Sequence, residues 1–131
     1  MHRFHHPPTL DDIVDLAGHA FPAIPEALRV LVRGASIEVE EVADEKTAQD
    51  LGFESPWALT GLYRRAARTQ TSVLDAPMAN DTITLYRAPI LLEWIETGED
   101  LFRLVRNVLI QEIAHHFGWS DADIERLERD E

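Results

Sequence analysis

The order of apolar and polar positions divides the chain into a short series of elements. Ile13, Leu16, Ala17 and Ala20 recur at helical spacing behind Thr9. Thr9 is an N-cap candidate, with Asp12 three residues on as its capping-box partner. Pro22 and Pro25 interrupt, and Pro25 can open a second short helix through Leu28, Leu31 and Val32 that Gly34 ends. From Ser36 to Val42 the period changes: Ile37, Val39 and Val42 stand against Glu38, Glu40 and Glu41, which predicts a half-buried strand with an acidic solvent face. Asp44 to Leu51 predicts a short helix stopped by Gly52, and Ala58 to Tyr63 a second strand. Residues 65–80 are polar and aperiodic, as in an irregular loop. Thr82 to Arg87 is β-branched and aromatic, lies between Asn80-Asp81 and Pro89, and is the clearest strand of the three. Ile90 to Glu96 predicts a short amphipathic helix ending at Gly98.

Glu99 to Phe117 predicts the dominant helix. Leu101, Leu104, Val105, Val108, Leu109 and Ala114 cover so wide an arc that much of it must be buried. Glu99 and Asp100 favour its N-terminus through the helix dipole, Gly118 stands where a terminating glycine belongs, and Ser120 caps a last short helix with Asp123 as its partner. Helices first, then three strands, then helices make an α+β layer fold: a mixed sheet of three to four strands, with the principal helix near the C-terminus.

Composition narrows the possibilities. At 131 residues, 45% of them apolar, the chain is one packed domain, expected over residues 9–131 behind a flexible tail, residues 1–8, that carries His2, His5 and His6. There is no cysteine, which excludes thiolate metal sites and cysteine nucleophiles. Twenty-four acidic against 12 basic side chains give a net charge of −12, which argues against nucleic acid and anionic membrane surfaces as partners. No apolar stretch reaches the roughly 18 residues of a membrane span, and the N-terminus lacks the pattern of a signal peptide. A cytoplasmic protein is the default expectation.

The candidate chemistry lies in residues 111–121, Gln111-Glu112-Ile113-Ala114-His115-His116-Phe117-Gly118-Trp119-Ser120-Asp121. With His in place of Gln111 this would be the extended zinc-protease signature H-E-x-x-H-x-x-G-x-x-[H/D]. Positions i and i+4 of a helix point the same way, so residues 111 and 115 face one point in space. Glu112 beside them can serve as general base to a metal-bound water. Gly118 permits a left-handed turn, and Asp121 can return as an oxygen ligand, completing two nitrogens and one carboxylate for zinc. Taken singly, each residue has a plainer role: Glu112 and His115 as an i, i+3 pair, Gly118 as a routine helix terminator, Asp121 as a first-turn acid. His116 faces about 100° away and is assigned to packing or hydrogen bonding rather than to metal.

On these residues the chain resembles the minimal zincin-like metallopeptidases, a bacterial family of zinc-dependent proteases with a matrix-metalloprotease-like domain. The likeness extends to Leu10-Asp11-Asp12-Ile13, Pro25-Glu26-Ala27-Leu28, Ile37-Glu38-Val39-Glu40, Leu59-Thr60-Gly61-Leu62-Tyr63, Ile83-Thr84-Leu85-Tyr86-Arg87 and Val105 through Asp121. The resemblance implies a small zincin-like α+β domain, peptide or protein substrates and a zinc cofactor. It implies Glu112 as catalytic base, His115 and Asp121 as zinc ligands and Gly118 as the turn glycine. The position of the first ligand is held by Gln111. Its amide oxygen is neutral and hard, better suited to calcium or magnesium than to zinc, so zinc is expected to be weakly held or absent. Thr82–Arg87 is a candidate for a substrate-binding sheet edge, with a central strand as the equal alternative; Tyr86 on it is a candidate for that edge or for oxyanion stabilisation, with a packed sheet tyrosine as the plainer reading. Met78 has no assigned role. Trp119 is expected to pack as a lid over the site or in the core. Three readings remain open: a zinc peptidase with a degraded site, a catalytically dead zincin-fold protein that binds a peptide or protein, or an active enzyme into which Gln111 was introduced.

Overall fold

The structure is a computed structural model and describes residues 6–66 and 81–129. The expected loop residues 67–80, with Met78, and the tail through His5 lie outside the described residues. Among the described residues six α-helices and three strands follow in chain order, with short 3-10 turns between some of them: α1 (Leu10–Ala20), α2 (Glu26–Arg29), β1 (Ser36–Glu40), α3 (Glu45–Asp50), β2 (Gly61–Arg64), β3 (Thr82–Tyr86), α4 (Arg87–Thr97), α5 (Leu101–His116) and α6 (Asp121–Arg129).

Local sequence sets most boundaries. Thr9 and Asp12 form the reciprocal capping box that starts α1. Asp44 and Asp100 accept backbone N–H bonds at the starts of α3 and α5. The second strand starts later than its apolar run suggests: Pro56 opens a 3-10 turn over Pro56–Ala58, capped by Ser55, and pairing begins only at Gly61. Helix α4 starts earlier, at Arg87, with Pro89 as its third residue. A proline is tolerated there because first-turn N–H groups have no partner within the helix. Pro8, assigned to the flexible tail by sequence, is buried, and its carbonyl accepts a 2.6 Å bond from Arg87 Nε. That guanidinium also reaches Glu41 at 2.9 Å.

The sheet order is β1-β3-β2, with β1 parallel and β2 antiparallel to β3. Of the two positions open for Thr82–Arg87, edge or centre, the structure shows the centre, and among the described residues β1 and β2 are the outer strands. Ile83 and Leu85 join the main core of α1, α5 and the first helical turns. Tyr86 points into a smaller cluster with Ala43 and Leu59, so this strand is buried on both faces. Helix α5 is the spine of the core, with Leu101, Leu104, Val105, Val108, Leu109, Ile110, Ile113 and Ala114 all buried. Arg106 is buried as well, and its Nε donates to the Ala23 carbonyl at 3.1 Å. Among the described residues no helix is long and apolar enough to cross a membrane.

Candidate functional site at the end of helix α5

The last turns of α5 carry the segment. Ile113 and Ala114 are buried against the core, which turns Gln111 and His115 outward on the opposite face. The helix then stops in a Schellman turn: Trp119 N–H bonds to the Ala114 carbonyl, Gly118 N–H bonds to the His115 carbonyl, and Gly118 sits at φ +80°. Asp121 returns at the start of α6, where Ser120 Oγ accepts from Asp123 N–H at 3.1 Å. Asp123 itself pairs with Arg126, so only this half of the expected capping box is made by its side chains.

The turn brings His115 and Asp121 together, with Nε2 and Oδ1 3.4 Å apart. Both side chains are largely exposed, 55% and 98%, and an ion pair so exposed contributes little stability. The spacing also suits a metal, since two ligand atoms each about 2.1 Å from a tetrahedral zinc lie about 3.4 Å apart. The third corner does not form. Gln111 Nε2 donates to Glu128 Oε2 on α6 at 2.9 Å, so this side chain is committed to a neighbouring helix. Among the described residues no three His, Asp or Glu side chains group as a metal site. Zinc asks for three protein ligands at a catalytic centre, and the residues present fall one short.

Glu112 is held differently from its neighbours. Strand β2 crosses directly over it: a Cβ on Gly61 would lie 3.1 Å from Glu112 Cγ and 2.9 Å from Val108 Cγ1. Burial under that strand pushes the Glu112 carboxyl up to about 7, although the neighbouring His115 pulls the other way. A carboxyl with that value accepts or releases a proton near neutrality, as a general base must. The outer edge of β2, beside Glu112, pairs with no strand among the described residues.

Neither role considered for Tyr86 holds. Its strand is central and its side chain is fully buried. Its hydroxyl has no hydrogen-bond partner among the described residues and is shut away from solvent, which also raises its ionisation above the usual phenol range. His116 packs, as expected from its direction on the helix: it stacks on Tyr63 with centroids 3.9 Å apart. Tyr63 in turn donates to buried Asp81, just before β3, at 2.9 Å, so the stack ties β2 to α5 and the bond ties it to the start of β3. Trp119 packs against the main core and, with Leu127, walls a 540 Å³ hollow beside Gly118. Sequence reasoning missed two participants, Gly61 and Glu128. A glycine inside a strand pattern is a signal of close backbone approach, whereas nothing in sequence linked Glu128 to position 111.

The family model described as zincin-like metallopeptidase matches residues 32–130. Among solved structures, a conserved hypothetical protein from Thermo thermophilus shares 22% identity at a TM-score of 0.53 over 90% of this chain and 99% of that one, a likeness of fold. No curated protein matches the chain.

Proposed function

The chain belongs to the zincin-like metallopeptidase family, and we propose that it is a member with a degenerate metal site, QExxHxxGxxD in place of HExxHxxGxxD. The family implies zinc binding and peptide hydrolysis in general. In this chain, zinc is weakly held or absent and peptidase activity is low or lost. The observation that carries this reading is the 2.9 Å bond from Gln111 to Glu128, which occupies the side chain that stands where the first ligand belongs. Even groups one shell removed from a metal change affinity or activity by roughly 10–100-fold, and loss of a ligand costs at least that. Glu112 remains as base, His115 and Asp121 as residual ligands and Gly118 as the turn glycine. The reading includes a peptide or protein as the partner, no nucleic acid or membrane, and a cytoplasmic setting.

The test is restoration. Gln111→His should take up zinc and hydrolyse general peptide substrates that the unmodified chain leaves intact. If the unmodified chain already hydrolyses them at a typical metallopeptidase rate, with loss on chelation, the site is not degenerate.

A second reading has its own support: a catalytically dead module that binds peptides. Among the described residues the outer edge of β2 pairs with no strand, and Trp119 and Leu127 wall a hollow beside Gly118. An extended peptide can add to such an edge through backbone hydrogen bonds. Zinc uptake by Gln111→His without cleavage of any peptide library selects this reading.

A further inference from the structure

Away from the 111–121 segment, a 360 Å³ pocket opens between α2 and the turn that leads into β1. Phe21, Val30 and Val32 form apolar walls, and Arg29 and Arg33 bring two guanidinium groups to it. The turn explains where Arg33 stands: Gly34 at φ +86° follows Arg33 at φ −60°, ψ 129°, and Ala35 N–H closes onto the Val32 carbonyl at 3.0 Å, a type II turn with Arg33 at its corner.

Both arginines lack a carboxylate partner among the described residues of an acidic chain. With 24 acidic side chains to 12 basic ones, acidic partners are plentiful, and Lys46, Arg87, Arg103, Arg126 and Arg129 each have one. Arg29 and Arg33 have none among the described residues, although Glu26 lines the same pocket. Arg29 Nε is moreover buried with no hydrogen-bond partner among the described residues. Arg29 lines the pocket, and an oxyanion seated there can accept from a guanidinium in two parallel bonds.

We propose that this pocket binds a small organic oxyanion, a carboxylate or phosphate on a compact apolar body, with Arg29 as the rigid fork and Arg33 as the second cation. The apolar walls take the body of the ligand, and the volume lies in the range of small-molecule sites. Glu26 at the same pocket disfavours highly charged ligands. The site is independent of the metal-site reading above.

The test follows the arginine Nε–H resonances of isotopically labelled full-length protein during titration with benzoate and, separately, inorganic phosphate, at constant ionic strength set with chloride. The Arg29 resonance should move saturably, with a Kd of about 1 mM or tighter for at least one anion. Stronger binding of benzoate identifies a carboxylate with an apolar body, and stronger binding of phosphate a phosphate ester. Arg33→Gln, in an exposed turn, should keep the fold and weaken binding by about tenfold or more, and Arg29→Lys, which keeps the charge and loses the fork, should weaken it too. No saturable shift with either anion, or a shift that Arg33→Gln leaves unchanged, overturns the proposal.

Discussion

Gln111 and Glu112 are adjacent in sequence and meet opposite environments. The motif made both visible, because spacing on a helix fixes direction. It did not reveal what each would touch. Gln111 finds Glu128, 17 positions away on α6, and Glu112 is covered by β2; both partners come from tertiary packing. The covering of Glu112 has a consequence for stability. Its carboxyl is raised from 4.5 to about 7 in the folded protein, so between those values the folded state holds a proton that the unfolded state has released. Stability from this group is therefore full below about pH 4.5 and falls as pH rises toward 7, by up to about 3 kcal/mol before solvent screening is counted. Denaturant unfolding across that range should show this decline, and Glu112→Gln should flatten it. An unchanged slope in the variant would mean that Glu112 titrates normally.

Elements were easier to foresee than their ends. The capping side chains and terminal glycines that define α1, α3 and α5 are local chemistry, readable residue by residue. The start of β2 and of α4 was not, because Pro56 and Pro89 each act as the early residue of a helical turn rather than as the boundary of a strand or helix. Two glycines hold the site's elements in place for different reasons. At Gly118 the space around a Cβ is open and only the backbone at φ +80° resists, so Gly118→Ala should lower stability by about 1–2 kcal/mol. At Gly61 the backbone is ordinary and the space is missing: a Cβ would stand 2.9 Å from Val108 and 3.3 Å from the Thr84 carbonyl. Gly61→Ala should cost about 1–3 kcal/mol through displacement of β2, and should expose Glu112 and bring its carboxyl back toward 4.5. Thermal unfolding of both variants, with titration of Glu112 in the second, checks the pair. Equal effects on the Glu112 titration would show that β2 does not govern it.

At the scale of the whole molecule, the α+β class and the position of the principal helix were legible because hydrophobic period and chain order carry them. The order of strands was not. Thr82–Tyr86 alternates as a strand with one wet face would, yet Thr84 and Tyr86 are buried too, beneath a second small cluster supplied by Ala43 and Leu59. Pairing with β1 on one side and β2 on the other puts β3 at the centre, and among the described residues β2, which covers Glu112, is an outer strand. The molecule has the zincin scaffold; on the function proposed above it keeps Glu112 as base and His115 and Asp121, 3.4 Å apart, as two ligand positions, and lacks the third. Zinc affinity measured by competition with a chelator of known strength tests this most directly, on the chain as it stands and on Gln111→His. Weak, substoichiometric zinc in the first and tight, stoichiometric zinc in the second is the predicted result, and tight stoichiometric zinc held by the chain with Gln111 would contradict it.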